Sequence, residues 1–178
     1  MATQMDVRPA SRGRSSILGW WRREAWLIVV VADIGLLLWG AGAALMPGTL
    51  PGPSSVAILP AGFEGHTGGS WQQLTATSPE TAAYITLVFR MYGIYIVAFS
   101  IMAIAIAANG FRRGERWAWW ALLVGNSIAW ISAMAYDQIV GAIGTFELTE
   151  YLGLALIYVS LAFTFRSRRG GVMFEPVR

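Results

Sequence analysis

Residues 81–123 of this chain read TAAYITLVFRMYGIYIVAFSIMAIAIAANGFRRGERWAWWALL and decide its fold class. A long apolar run with one arginine, Arg90, leads into a short basic turn, and the turn leads into the aromatic start of a second apolar run. Hydrophobic residues continue around the whole circumference of each predicted helix instead of following one stripe, which is typical of a membrane span. The stretch therefore predicts an integral membrane protein built from helices.

The composition of the whole chain agrees with this prediction. Its 178 residues are 56% hydrophobic and 13% charged, well below the charged fraction of roughly 25% in soluble domains. The absence of cysteine excludes disulfides, thiol chemistry and cysteine-based metal sites. The single histidine, His66, cannot supply the paired axial ligands of a membrane haem. We therefore expect neither a metal nor another cofactor, and no nucleic-acid partner.

Four windows of about 20 apolar residues, the length that crosses the hydrocarbon layer, occur along the chain. They cover residues 26–46, 81–108, 117–136 and 146–165. The predicted fold is therefore an all-α, integral membrane four-helix bundle. Residues 1–16 are expected to form a disordered basic tail, residues 17–169 the four-span domain with an outer loop at 47–80, and residues 170–178 a C-terminal tail.

The arginines orient these spans. They lie before the first span, in the turn between the second and third, and after the fourth: Arg8, Arg12, Arg14, Arg22, Arg23, Arg112, Arg113, Arg116, Arg166, Arg168 and Arg169. The loops at residues 47–80 and 137–145 contain no arginine. Because cytoplasmic loops carry the excess of positive charge, both termini are predicted to be cytoplasmic and both of those loops external. We expect a multi-pass protein of the inner, or plasma, membrane.

Charged residues near the outer ends of the spans suggest a first polar layer. At 1.5 Å per residue, Arg90 is roughly 27 Å above the cytoplasmic end of its span, Asp137 roughly 30 Å and Glu150 roughly 24 Å, with Glu147 one turn higher. A guanidinium in a span is usually paired with a carboxylate. We therefore predict an outer charged layer of Arg90, Asp137, Glu147 and Glu150, in which Arg90 pairs with Glu150 or Asp137.

A second polar layer is predicted nearer the cytoplasm. Asp33, Asn126 and Tyr158 share a depth of roughly 10 to 13 Å from that side. An ionised carboxylate at such a depth costs about 2.5 to 3.5 kcal/mol, so Asp33 should face the bundle and either find a partner or be protonated. Two interpretations stay open: hydrogen bonds that hold helices together, or a proton or cation site.

Three classes of function fit these layers. An excess of acids beneath an apolar outer loop suits a site for a lipid or a small lipophilic or cationic ligand, in a protein that acts alone, as a homo-oligomer or as an accessory subunit of a membrane complex. A small oligomeric transporter would use Asp33 and Arg90, and an intramembrane enzyme would use the outer acids. No nucleophile–base pair, phosphate loop or metal motif accompanies them, so no catalytic residue is predicted.

One stretch resembles a known group of proteins. Arg90 followed by Tyr92-Gly93 in one apolar helix, and FRRGERWAWW at residues 111–120 opening the next, resemble uncharacterised bacterial four-helix membrane proteins of the broad DoxX-like kind. The resemblance implies a compact four-helix bundle in a bacterial inner membrane and supplies no catalytic residues. The long outer loop and the lack of cysteine depart from the redox-linked members of that group.

Overall fold

The computed structural model describes residues 13–50, 57–140 and 145–169, and their side chains within 24–50, 57–139 and 150–165. The regular elements of these ranges are helical, which confirms the all-α class. They are α1 (Gly13–Leu45), α2 (Ile58–Thr67), α3 (Trp71–Thr77), α4 (Pro79–Ile106), a π-helical turn that continues α4 (Ala107–Phe111), α5 (Arg116–Val140) and α6 (Thr145–Arg169). The predicted tails at residues 1–12 and 170–178 lie outside the described residues, whereas residues 13–16 already belong to α1.

Three of the long helices are sufficiently long and apolar to cross a membrane. Their apolar stretches are Glu24–Leu45, Pro79–Phe111 and Arg116–Ile139. Large apolar side chains on them face outward, and Val31 and Ile139 are each 67% exposed. Water does not solvate such a surface favourably, but lipid tails do. The chain is therefore a membrane protein, and α6 adds a shorter described apolar stretch, Glu150–Phe165.

The long helices lie side by side and antiparallel to their neighbours. α1 packs along both α4 and α6, α5 packs along α6, and α4 and α5 approach each other more sparingly. Small residues bring α1 and α4 together, since a Cβ added to Gly93 would lie 2.6 Å from the carbonyl oxygen of Gly40 and 2.5 Å from the backbone nitrogen of Ala44. Close approach through small residues is a usual source of helix association in membranes.

Aromatic and aliphatic side chains fill the centre between the helices. Leu122 of α5 and Ile157 of α6 are fully buried, and Val29 of α1 packs in the same cluster. The buried indole of Trp119 donates from Nε1 to the carbonyl oxygen of Leu161 at 2.9 Å. This bond ties α5 to α6 near the start of α5, which follows the basic turn.

The basic turn between α4 and α5 is compact. The π-helical turn brings Gly110 against the next helix, where an added Cβ would lie 2.7 Å from the Cβ of Ala118. Gly114 takes a left-handed conformation with φ 76°, which glycine adopts without steric cost. The guanidinium of Arg112 lies over the ring of Trp26 at 5.0 Å, so a cation–π contact joins the turn to α1.

The outer segment contains two short helices, where the sequence predicted a long loop that folds down on the bundle. α2 buries Leu59 and Gly62 and touches α5, while α3 packs on α4. The rings of Phe63 and Trp71 meet edge to face at 5.5 Å, and the Glu64 carboxylate accepts from the backbone N–H of Trp71 at 3.0 Å. The segment is thus an ordered cap over part of the bundle.

Candidate functional site

A groove runs between α4 and α5 where these helices are most loosely packed. Its volume is about 420 Å³, and α1 and α6 close it from behind. We call it the α4–α5 groove and define it by these lining residues: Trp39, Tyr92, Tyr95, Phe99, Trp130 and Glu150. Tyr95 and Ile128, which also line it, are 67% and 65% exposed, so the groove reaches the lipid-facing surface.

Side-chain size explains why the groove exists. α5 contributes small residues to its wall, among them Gly125, Ala129 and Ala133, whereas α4 contributes large rings. At Gly125 an added Cβ would lie 3.3 Å from the ring of Phe99, so glycine keeps the two walls close at that level. Small residues facing aromatic ones leave a space that neither helix fills. The groove is therefore a product of packing between helices.

Aromatic rings and one indole donor shape the α1 side of the groove. The ring of Trp39 meets Tyr92 edge to face at 5.9 Å and Phe89 at 6.4 Å. Its Nε1 is buried and has no hydrogen-bond partner within the described part of the chain. A buried donor without a partner is costly, so this N–H is a site of unfavourable free energy in the wall of the groove.

Two acids lie at the outer end of the groove. Glu150 of α6 lines the groove and is half-buried. It is one turn above Gly153, where an added Cβ would lie 2.8 Å from the ring of Trp130, so α6 packs closely against this ring. Asp137 is also half-buried, and both carboxylates lie close enough to the phenol of Tyr92 to interact with it electrostatically. Two of the four residues of the predicted outer layer are therefore brought to one place.

The other two members of that layer are placed differently. Arg90 is exposed, and at 100° per residue it lies about 200° around α4 from Tyr92, so it occupies another face than the groove. The contact of Gly93 with Gly40 and Ala44 places Arg90 level with the outer end of α1. The side chain of Glu147 lies outside the described residues. The pairing of Arg90 with Glu150 or Asp137 stays a prediction that this placement does not support.

The three members of the predicted inner layer are buried or half-buried. Asp33 and Asn126 are fully buried, and so is Ser100 of α4, which sequence reasoning missed. Asn126 Oδ1 accepts from Trp130 Nε1 at 3.2 Å. The Tyr158 hydroxyl pairs with Ser127 Oγ at 2.8 Å. Ser100 is seven residues after Gly93 and hence on the same face of α4, a periodicity that identifies it once the α1 contact of Gly93 is known.

Several polar atoms of the inner layer have no hydrogen-bond partner among the described residues. They are both carboxylate oxygens of Asp33, Oγ of Ser100 and Nδ2 of Asn126. Buried polar groups are almost always paired, so these four atoms on three helices lack the partners that such groups usually have.

Neither a metal site nor a similarity to known proteins identifies a function for this chain. Within the described ranges no group of three or more His, Cys, Asp or Glu side chains is arranged to hold a metal ion. No protein-family model matches the chain, and neither a curated protein nor a solved structure is significantly similar to it. The resemblance to DoxX-like proteins therefore stays a prediction.

Proposed function

We propose that this protein is a four-span bacterial inner-membrane protein that binds a lipophilic molecule with a cationic head in the α4–α5 groove. One observation carries the proposal: an apolar, aromatic-lined space of about 420 Å³ has a carboxylate, Glu150, among its lining residues. Small-molecule sites are typically apolar cavities of this size with a few polar groups that set orientation.

The lining residues favour a cation over an anion. The faces of Trp and Tyr rings attract a positive charge that lies within about 6 Å of the ring centre. Tyr92 and Tyr95 from α4 and Trp39 from α1 supply such faces, and the Glu150 carboxylate supplies the opposite charge. The remaining lining is apolar and suits a hydrocarbon body.

The groove is also accessible from the lipid. Exposed residues of both walls, such as Tyr95 and Ile128, connect it to the outer surface of the bundle. A lipophilic molecule dissolved in the bilayer therefore enters sideways, without crossing the ordered cap formed by α2 and α3. A ligand from the external medium would first have to partition into lipid.

The fourth span and the orientation belong to the proposal. α6 has 25 residues, which at 1.5 Å each is roughly 37 Å, enough to cross the hydrocarbon layer. It packs against α1 and α5, both of which are apolar enough to span. With α6 across the membrane, both termini are on the side of the arginine-rich turn, which the positive-inside rule makes cytoplasmic.

The two alternatives receive less support. A transporter that uses Arg90 needs this residue on the path of the substrate, yet Arg90 is exposed on another face of α4 than the groove. An intramembrane enzyme needs a nucleophile or an acid–base pair beside the substrate. Ser132 is the only hydroxyl of Ser or Thr type among the groove-lining residues of the described chain, and no histidine lies beside it there.

A matched pair of probes tests the proposal. Tetraphenylphosphonium and tetraphenylborate have nearly the same size and apolar surface but opposite charge. Binding to the protein in mild detergent is measured by calorimetry and by quenching of tryptophan fluorescence, since Trp39 and Trp130 line the groove. We expect the cation to bind at least tenfold more tightly than the anion, which corresponds to about 1.4 kcal/mol.

Variants decide whether the preference arises in the groove. Glu150→Gln should remove most of the preference for the cation while leaving anion binding nearly unchanged. Glu80→Gln, at an exposed acid in the first turn of α4, is the matched control and should change neither. Equal binding of both probes by the unaltered protein, or an unchanged preference in Glu150→Gln, overturns the proposal.

The natural ligand is sought by native mass spectrometry of the protein purified in mild detergent. A retained lipophilic molecule of stoichiometric amount, reduced in Glu150→Gln but not in Glu80→Gln, identifies the ligand. Co-purification of other subunits with an empty groove favours the role of an accessory subunit instead.

A further inference from the structure

Three polar side chains on three different helices are fully buried in the bundle. Asp33 of α1, Ser100 of α4 and Asn126 of α5 each have 0% exposed surface. None of them lines the α4–α5 groove. We call this set the polar triad. It is separate from the proposed ligand site and does not depend on it.

Helix contacts place Asp33 opposite Ser100. The closest approach of α1 and α4 is at Gly40 and Gly93. Asp33 precedes Gly40 by seven residues and Ser100 follows Gly93 by seven. In antiparallel helices both steps lead in the same direction, by two turns or roughly 10 Å, and return to nearly the same face. The two side chains therefore meet in the α1–α4 interface.

Asn126 joins them from α5. Gly125 and Phe99 are in contact, because a Cβ added to Gly125 would lie 3.3 Å from the Phe99 ring. Asn126 and Ser100 are the next residues along these antiparallel helices, so their levels differ by only about 3 Å. The amide oxygen of Asn126 is held by Trp130 at 3.2 Å, which leaves its Nδ2 to point elsewhere.

The triad has a negative charge to neutralise if its carboxylate is ionised. Both oxygens of Asp33, Oγ of Ser100 and Nδ2 of Asn126 lack a partner among the described residues. Two described cations flank this level of α4, and both are distant. Arg90 precedes Ser100 by ten residues, roughly 15 Å, and Arg112 lies on the ring of Trp26, roughly 10 Å nearer the cytoplasm than Asp33. From α6 the level partner is Tyr158, whose hydroxyl is engaged with Ser127.

No described side chain thus supplies a counter-charge to Asp33. An isolated carboxylate in a low-dielectric interior is too costly to persist, and such groups are paired, coordinate a cation or take up a proton. Hydroxyl and carboxylate oxygens are also ligands that a small hard cation accepts.

We propose that Asp33, Ser100 and Asn126 form an internal binding site for one small monovalent cation, either a proton or Na⁺. The carboxylate of Asp33 carries the charge of the site. Ser100 Oγ supplies a further oxygen, and the Asn126 amide stabilises a water of the bound ion by donating from Nδ2. Both cations neutralise the same group, and experiment separates them.

The test uses the full chain in detergent, and unfolding is followed by intrinsic tryptophan fluorescence. Na⁺ is titrated against N-methylglucamine at constant ionic strength and constant pH. If Na⁺ is the ion, the Tm rises saturably by roughly 5 °C, because a ligand that binds only the folded state stabilises it. Asp33→Asn should reduce this rise to below about 1 °C, and Ser100→Ala should weaken the apparent Na⁺ affinity.

If the proton is the ion, Na⁺ has no effect on the Tm. The infrared spectrum of the protein in D₂O then shows the C=O stretching band of a protonated carboxyl group at neutral pH. This band is expected to disappear in Asp33→Asn and to persist in Glu80→Gln, where an exposed acid is neutralised as the matched control.

The two measurements on the unaltered protein keep the proposal testable even if Asp33→Asn does not fold. A protein that shows neither stabilisation by Na⁺ nor a protonated carboxyl band has an ionised, cation-free Asp33, and the proposal is then wrong. The same conclusion follows if folded Asp33→Asn retains the Na⁺ response or the band.

Discussion

Trp130 donates its indole Nε1–H to Asn126 Oδ1 at 3.2 Å, one turn earlier on α5. The ring of Trp130 lines the α4–α5 groove, whereas Asn126 belongs to the polar triad. One hydrogen bond therefore joins the wall of the candidate ligand site to the buried polar layer behind it. The same ring also packs against Gly153 of α6, so its position is set by two helices.

Replacing Trp130 by phenylalanine tests how much this hydrogen bond contributes to the stability of the protein. Trp130→Phe keeps an aromatic ring but leaves Asn126 Oδ1 buried without its donor. We expect a loss of about 1 to 3 kcal/mol in the free energy of unfolding, the usual cost of an unsatisfied buried acceptor. The measurement is unfolding of the purified protein in mixed detergent micelles. Trp120→Phe, at an indole that is 47% exposed, is the control and should change stability little. Equal losses in the two variants would contradict the prediction.

Two glycines of the spans are expected to respond oppositely to alanine. At Gly93 the new Cβ would meet backbone atoms of α1 at 2.5 and 2.6 Å, which the helices relieve only by moving apart. We expect Gly93→Ala to destabilise the protein by about 1 to 3 kcal/mol, as overpacking does. Gly35 has nothing within 4 Å of the added atom, so Gly35→Ala should be neutral or stabilising by up to about 1 kcal/mol. Thermal unfolding of both variants in one detergent decides the matter, and a tolerated Gly93→Ala would disprove the close α1–α4 contact.

Neutralising Arg90 is expected to have a small effect on stability. Its side chain is exposed at the level where α1 ends, so the guanidinium is free to reach the headgroup region. We therefore expect Arg90→Gln to change the free energy of unfolding by less than about 0.5 kcal/mol and to leave binding of tetraphenylphosphonium unaltered. A large loss in either measurement would instead favour the ion pair with Glu150 or Asp137 that the sequence predicted.

The orientation of the spans is testable because the chain contains no cysteine. Single substitutions Gln72→Cys in α3 and Gln138→Cys near the end of α5 should react with a membrane-impermeant maleimide in intact cells. Arg113→Cys in the basic turn and Glu175→Cys near the C-terminus should react only after the membrane is opened. Labelling of Glu175→Cys from outside would remove α6 as a fourth span.

Removing one interhelical hydrogen bond should cost little. Tyr158→Phe deletes the 2.8 Å contact between α6 and Ser127 of α5 while keeping the ring. Interhelical hydrogen bonds in membrane proteins contribute about 0.6 kcal/mol on average, so we expect a loss of that order. Ser127 still donates to the carbonyl of Leu123 at 2.6 Å, which limits the penalty. A loss above about 2 kcal/mol would show that Tyr158 also supports the polar triad.

The amino-acid sequence by itself determined that this chain is a helical membrane protein, and it predicted how deep its polar residues lie. In lipid, a single apolar segment can satisfy all of its backbone hydrogen bonds only if it forms a helix. Because a helix rises by a constant distance per residue, the position of a residue in the sequence gives its expected depth. The shared level of Asp33 and Asn126 follows from that arithmetic. The apolar residues of the outer segment predicted an apolar loop over the bundle. They did not predict that this segment contains the helices α2 and α3.

The tertiary structure decided which residues share a face and which helices enclose a space. A helix that is apolar all round has no polar stripe that shows which side faces the other helices. The sequence alone therefore could not decide whether Arg90 or Tyr92 of α4 points into the bundle. Close contacts at glycines, such as Gly40 with Gly93, set that rotation, because helices in lipid associate where small residues let backbones approach. They turned Arg90 outward, placed Ser100 on the face of α4 that meets α1, and left the groove between α4 and α5.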